Sequence, residues 1–392
     1  MYSDTRIGQI LKGLPRSRFD KIVAEEEADK YAKGFRCWDQ FLAMTFNQLS
    51  GATSLRQLES GFNSQPAAHY HLGTRPLRRS TLADANRKRS SRVFERLFQA
   101  LLPLARGQLK RQLNDFVYLL DASVIHLTGP EYDAWARHYR NNVSQGLKLH
   151  LAIEQQAQCP VFGELSGANE SDLAHGRNMP LEPGATYVFD RGYYDFDWWQ
   201  QIDRQDAFFV TRLKKNAAVS KVESRAIPAE DTGVILEDAI VQFTRKHIGI
   251  TNRPNPYWQK QARRIVVDRP DKATPLVLIT NDFGRSAAEI AALYKKRWGI
   301  ELFFKWIKQN LKIRRFLGRS ENAVRSQIYI ALITYLLLYL YRQTQAIEDS
   351  FALCLVTLKT ALFQRPETDY RVAKRRKRER DALLAQQPQL AF

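Results

Sequence analysis

Six residues in this chain of 392 have the types and spacings that chemistry needs: three acids, and three polar side chains arrayed beside one of them. Within Ser286–Leu311 (SAAEIAALYKKRWGIELFFKWIKQNL), a helical repeat of about 100° per residue gathers Leu293, Ile300, Phe304, Ile307 and Leu311 into an apolar stripe. On the same projection Tyr294, Arg297, Glu301 and Lys308 fall within roughly 60° of one another. A phenol, two cations and a carboxylate thus line the edge of a core-facing stripe. Arg297 and Glu301 also have the spacing of an i,i+4 ion pair worth a few tenths of a kcal/mol, which a solvated helix flank would show equally.

The other two acids lie in strand-like runs. Asp121 interrupts Phe116–Leu127 (FVYLLDASVIHL), an otherwise nearly apolar stretch that predicts a strand covered on both faces. A carboxylate buried there alone costs several kcal/mol, so it is hydrogen bonded, open to a rim, or bound to a metal. Asp190 closes the short apolar run Thr186–Arg191 (TYVFDR), just before Gly192. The carboxyl end of a sheet strand is where open α/β folds bind ligands.

To bring such acids together the chain needs a sheet with a helix after it. Gly146–Glu154 (GLKLHLAIE) alternates, with Leu147, Leu149, Leu151 and Ile153 on one face, and Pro160–Leu165 suits the next strand. With the Asp121 strand these form an antiparallel meander. A helix from Ser171 or Asp172 leads toward Asp190, a second begins among Tyr193–Trp199, and Ala207–Thr211 (AFFVT) supplies a fifth strand. From Arg212 to about Thr274, short alternating pieces broken by prolines and cations read as a mostly β insertion of roughly sixty residues. Pro275–Thr280 (PLVLIT) then returns as a buried strand. The Ser286 stretch reads as one long helix opened by a capping box between Ser286 and Glu289. His150 reads as a packing or surface histidine, and His126 and His138 lack the spacing of metal ligands.

Residues 1–104 read as a small helical domain, with helices near Thr5–Leu11, Phe35–Leu49, Ser54–Phe62 and Thr81–Leu102. Arg75, Arg78, Arg79, Arg87, Lys88, Arg89 and Arg92 cluster around the start of the last one. Cations and helix N-terminal amides there could meet phosphates, with Ser80, Thr81, Asn86 and Arg87 as candidate DNA contacts; a solvated basic face fits the same cluster. Past Leu311, Lys312, Arg314, Arg315 and Arg319 continue the basic path into apolar helices at Ala323–Tyr341 and Phe351–Phe363. The run Ile328–Tyr341 is shorter than the roughly 20 residues of a spanning helix and is expected to be buried. Residues after about Arg371 are expected to be disordered.

Composition narrows the function class. The chain has 60 Lys+Arg against 41 Asp+Glu, a net charge of +19. The run Lys374–Arg380 nets +5 and leaves +14 elsewhere, so the basicity is not confined to a tail. Such a charge favours a polyanionic partner, nucleic acid before an anionic membrane. Cys37, Cys159 and Cys354 are far apart with no CxxC, which suits a reducing cytoplasm and argues against a structural zinc site. The opening MYSDTRIGQILKG lacks the apolar centre of a signal peptide.

Tyrosine, two residues, arginine, three residues, glutamate, six residues, lysine resembles the YREK signature of DDE transposases of the insertion sequence 4 family. Asp121 in LLDASV and Asp190 in FDRGYYD match by context, and Glu301 by full spacing. The resemblance covers about Asp115–Tyr341. It implies an α+β or α/β protein with three parts. A helical DNA-binding domain (1–104) would precede a ribonuclease-H-like catalytic domain of mixed sheet (105–341, with the insertion about 212–274), followed by a C-terminal helical region and basic tail (342–392). It further implies a cytoplasmic, nucleoid-associated bacterial enzyme that cleaves transposon ends and joins the 3′-end to target DNA, with a hairpin on the excised DNA. Two Mg²⁺, with Mn²⁺ able to substitute, would be held by Asp121 bridging both and by Asp190 and Glu301 holding one each; hard cations take oxygen ligands. Tyr294, Arg297 and Lys308 would grip phosphates at the terminal inverted repeats. Trp298 would stack on an unpaired base, Lys305 beside it would join the DNA surface, and Arg78, Arg79, Arg87 and Arg89 would contact DNA from the N-terminal domain. A homodimer would pair two DNA ends. A metal-dependent nuclease of the same fold, or a catalytically silent DNA-binding derivative, are the competing readings.

Overall fold

The structure, a computed structural model, describes residues 5–136, 145–249, 252–364 and 370–385. His138 lies outside them. The chain divides into a helical unit, residues 1–101 with 310–392, and a sheet-centred unit, residues 102–309.

The sheet-centred unit is built on one nine-stranded sheet. Its strands and those of a small hairpin are β1 (Val117–Leu127), β2 (Gln145–Glu154), β3 (Cys159–Gly167), β4 (Thr186–Val188), β5 (Phe208–Arg212), β6 (Val219–Ser224), β7 (Ile235–Phe243), β8 (His247–Ile248), β9 (Arg253–Pro254), β10 (Gln261–Val267) and β11 (Leu276–Thr280). The sheet order is β3-β2-β1-β4-β5-β11-β10-β7-β6, and β8 pairs only with β9. β1–β2 and β2–β3 are antiparallel, whereas β1–β4 and β4–β5 are parallel. This meander followed by two parallel strands is the ribonuclease-H-like arrangement the sequence led us to expect. Apolar residues dominate because helices cover its middle; Leu119, Ile153, Val188, Phe209 and Leu278 are almost wholly buried.

The segment read as an insertion extends this sheet. Its strands β6, β7 and β10 continue past β11, each antiparallel to the next. The pieces expected at Val234–Glu237 and Ile240–Thr244 are one strand, β7, because Asp238 in its middle is neutralised by Arg263 on β10 at 2.6 Å. That pair is 3% and 1% exposed. A buried pair of this kind is tolerated only with its hydrogen bonds satisfied, and Arg263 also donates to the carbonyls of Asp282 and Arg285.

The Ser286 capping box forms as expected, the Glu289 amide donating to Ser286 Oγ and the Ser286 amide to Glu289 Oε2. The helix that follows is not continuous. It divides into Ala287–Lys296 and Trp298–Asn310 at Arg297. There the Arg297 amide donates to the Tyr294 carbonyl and the Ile300 amide to the Arg297 carbonyl, a tighter i→i+3 pattern. Arg297 keeps αR dihedrals, so the apolar stripe survives the break. Leu293, Ile300, Phe304, Ile307 and Leu311 are all buried.

In the helical unit the expected last N-terminal helix is two, Arg79–Lys88 and Arg92–Leu109, the second running on into the sheet-centred unit. The helix Glu321–Thr344 is long and apolar enough to cross a membrane by length and composition, yet 94% of its apolar window is buried within the protein. Of the residues beyond Arg371, expected to be disordered, those up to Ala385 continue a helix Tyr370–Ala385, and 386–392 lie outside the described residues. Alanine, leucine, arginine and lysine are strong helix formers, and Arg375 pairs with Glu379 one turn on. The three cysteines are free and buried.

Candidate active site

Asp121 sits mid-strand on β1, opposite Leu151 of β2, with its side chain 21% exposed. The Ala122 amide donates to its Oδ1 at 2.8 Å. Arg297 spans from Asp121 to Glu301: Nη2 donates to Glu301 Oε1 at 2.6 Å, and Nη1 lies 3.6 Å from Asp121 Oδ2. Burial pushes the Asp121 carboxyl up to about 6; the Ala122 amide and Arg297 oppose the rise, while the neighbouring charges of Asp190 and Glu301 add to it. Asp121 therefore feels both of the other acids.

Asp190 follows β4 and caps a short turn, its Oδ1 accepting from the Gly192 amide at 2.7 Å while Thr211 Oγ1 donates to its carbonyl at 3.3 Å. Parallel pairing of β4 with β1 carries this end toward Asp121. Tyr193 is buried beside it, and burial raises its phenol well above the ordinary value, with Asp172, Asp121 and Asp190 adding to the effect. Glu301 is carried by the helix Trp298–Asn310, anchored by Lys308, whose Nζ donates to Ser123 Oγ at 2.6 Å and to the Val124 carbonyl at 2.9 Å. These partners lie two and three residues past Asp121.

Tyr294 is buried, and burial lifts its phenol pKa, opposed by Arg297 and by Arg212 at the end of β5. Trp298 is 58% exposed and Lys305 is exposed, so both face away from the core. The structure thus brings Asp121, Glu301, Arg297, Tyr294 and Lys308 to one side of the β1 strand, with Asp190 in electrostatic reach.

The donor set is all carboxylate, which suits a hard divalent cation. Among the described residues no three His, Cys, Asp or Glu side chains converge closely enough to hold one; the cation now bridging Asp121 and Glu301 is the Arg297 guanidinium. It offsets one of the two negative charges, and Asp121 remains raised despite it.

The N-terminal candidates divide. Arg78 and Arg79 are exposed at the start of Arg79–Lys88, and Arg87 is exposed in an i,i+3 pair with Asp84. Arg89 instead turns inward, donating to the carbonyls of Phe35 and Ala28 and to Gln40, and pairing with Asp29 at 3.2 Å. Asn86 is buried and accepts from Gln40 Nε2 at 2.9 Å. Neither is placed to meet a phosphate.

Sequence reasoning passed over Asp172, Lys148 and Arg212. Asp172 opens the helix Asp172–Gly176 and lies 3.0 Å from Lys148 Nζ. His150 is buried against His175, their rings stacked at 4.2 Å, and burial pushes its imidazole down to about 3. Arg212 could have been found, since it ends a strand lying beside the one that leads to Asp190.

Residues 115–337 match the family described as the transposase DDE domain, and residues 3–75 match a domain described as of unknown function. A Sinorhizobium fredii protein named as a transposase is 41% identical over 268 residues, covering 68% of this chain and 70% of its own length. A Geobacillus stearothermophilus protein named for the transposase of insertion sequence element IS5377 is 27% identical, with 64% of each chain covered. A Synechocystis protein named for the transposase of element IS4SA is 25% identical, covering 67% of this chain and 71% of its own.

Proposed function

The chain belongs to the family of the transposase DDE domain, and from that premise we propose that Asp121, Asp190 and Glu301 form one centre that cuts and rejoins DNA phosphodiesters. The observation that carries this reading is the single guanidinium shared by Asp121 and Glu301, with Asp190 close enough to raise the Asp121 pKa. Asp121 and Glu301, remote in sequence, share one cation, and the Ala122 amide and Arg297 offset only part of the cost of burying Asp121, which supports a role beyond structure.

The three carboxylates would hold Mg²⁺, or Mn²⁺ in its place. Bound there, a pair of such ions supplies activation of a water or 3′-hydroxyl and stabilisation of the leaving oxygen. The chain's own residues do the rest. Arg297 and Lys308 offer guanidinium and ammonium donors to the phosphates flanking the scissile bond, and Tyr294 borders the same stripe. Arg297 has two claimants, the acids and a phosphate, so engaging DNA would draw its charge away from Asp121 and Glu301. Lys308 holds the Glu301 helix to β1, keeping the two acids in register, which is positioning catalysis.

The finer assignments belong to the same proposal. These are membership of the insertion sequence 4 family with its YREK signature, action at terminal inverted repeats with transfer of the 3′-end, a homodimer on paired ends, and a nucleoid-associated cytoplasmic setting. So is the division into an end-recognition domain at 1–104, a catalytic domain at 105–341 and a C-terminal region at 342–392, with Arg78, Arg79 and Arg87 as the exposed N-terminal contacts. The test is Mg²⁺-dependent cleavage and joining of the flanking inverted repeats. Glu301→Gln should lower cleavage by about 100-fold or more, since even groups behind a metal ligand are worth about 10–100-fold. Full activity in that variant would remove Glu301 from the centre.

A further inference from the structure

The turn after Asp190 is unusually crowded. A β-carbon built on Gly192 would lie 2.9 Å from Asp190 Oδ1 and 3.4 Å from Asp172 Oδ2. The first distance is shorter than real β-carbons tolerate, so something would have to move. The glycine therefore leaves room between two carboxylates, one from the proposed centre and one from the helix Asp172–Gly176. That helix presses on the same turn at its other end, where a β-carbon on Gly176 would meet the Tyr193 ring at 2.8 Å.

We propose that Gly192 is a positioning residue for Asp190, its lack of a side chain setting where the Asp190 carboxylate points; the inference rests on the assignment of Asp190 to the centre. Two features leave Asp190 little choice. Its Oδ1 is held by the Gly192 amide at 2.7 Å. Against the same β-carbon position stands Asp172, ion-paired at 3.0 Å with Lys148, whose Nζ also donates to the Glu170 carbonyl at 2.7 Å. A like charge bars the Asp190 carboxylate from moving that way. A methyl group at 192 would displace the carboxylate oxygen that accepts from the Gly192 amide, weakening that hydrogen bond and turning the acid relative to Asp121.

The fold should survive the change. Gly192 is exposed and its φ is not positive, so alanine meets no backbone penalty, and the atom it displaces is the mobile end of a side chain. The test compares Gly192→Ala with Gly107→Ala, whose β-carbon would meet nothing within 4 Å, and with Glu301→Gln. Melting temperature, kcat and KM on terminal DNA, and Mn²⁺ affinity by water-proton relaxation are read for each. Gly192→Ala should keep the wild-type melting temperature and KM, lose about 100-fold in kcat, the scale of a 1 Å misplacement, and bind Mn²⁺ about tenfold more weakly. Gly107→Ala should match wild type in kcat, KM and Mn²⁺ affinity, with a slightly higher melting temperature because Gly107 lies inside a helix. Wild-type kcat and Mn²⁺ affinity in Gly192→Ala, beside an inactive Glu301→Gln, overturn the positioning role and leave the centre standing. A loss of kcat that follows only a fall in melting temperature also overturns it. An active Glu301→Gln overturns the centre and this inference with it.

Discussion

Replacing Asp121 by asparagine should make the protein more stable and the enzyme inactive, and the gain should depend on pH. In the folded chain the Asp121 carboxyl titrates at about 6, against an ordinary 3.8. A carboxyl raised in this way costs stability as it ionises. The cost is absent below the unfolded value, grows between about pH 4 and 6, and is complete above the folded value. A shift of about two units corresponds to ~3 kcal/mol at ~1.36 kcal/mol per unit. The side chain keeps 21% of its exposure, so solvent screening reduces that to roughly 1.5–3 kcal/mol. Asparagine keeps an oxygen for the Ala122 amide, and Arg297 keeps Glu301. At about pH 8 the variant should therefore melt about 3–12 °C above wild type, using ~2–4 °C per kcal/mol for a unit of this size. Near pH 4 the difference should vanish. Adding Mg²⁺ at about pH 8 should raise the wild-type melting temperature and narrow the gap. Scanning calorimetry at both pH values, with and without Mg²⁺, decides it. A variant less stable than wild type at high pH, or a gap independent of pH, would refute the idea that Asp121 is a strained charge awaiting a cation.

Two further outcomes follow from charges already described. Arg297→Gln should bind Mn²⁺ several-fold more tightly than wild type without DNA, because the internal cation is gone, and should lose about one unit from the salt dependence of DNA binding; weaker Mn²⁺ binding measured by calorimetry would count against the competition. Arg263→Ala should cost about 3–5 kcal/mol in denaturant titration, the penalty for leaving Asp238 buried and unpaired. A loss below about 1 kcal/mol would mean water reaches that site.

What the sequence revealed and concealed divides by range. The Ser286–Glu289 capping box, the apolar stripe at Leu293–Leu311 and the strand around Asp121 are local patterns, and each appears where expected. The interruption at Arg297 was hidden because its residues keep helical dihedrals while only the hydrogen-bond register tightens. Arg89 looked like its basic neighbours because charge says nothing of whether inward-facing carbonyls await a guanidinium. Asp172 and Lys148 escaped notice because their partners lie more than twenty positions away in the chain. Asp190, by contrast, could be singled out because strand-end carboxylates have a general meaning in sheets of this kind.

The unbroken run of hydrogen bonding from β3 to β6 limits how such a protein can evolve. An appended module could be trimmed or exchanged without disturbing what lies inside it. Here β10 supplies the partner that β11 needs on one side, so excising β6–β10 would bare the unpaired backbone of β11 beside the strands that carry Asp121 and lead to Asp190. Natural length variation should instead collect at the β8–β9 hairpin, which stands apart from the main sheet, and family members should differ there before they differ in the number of main strands.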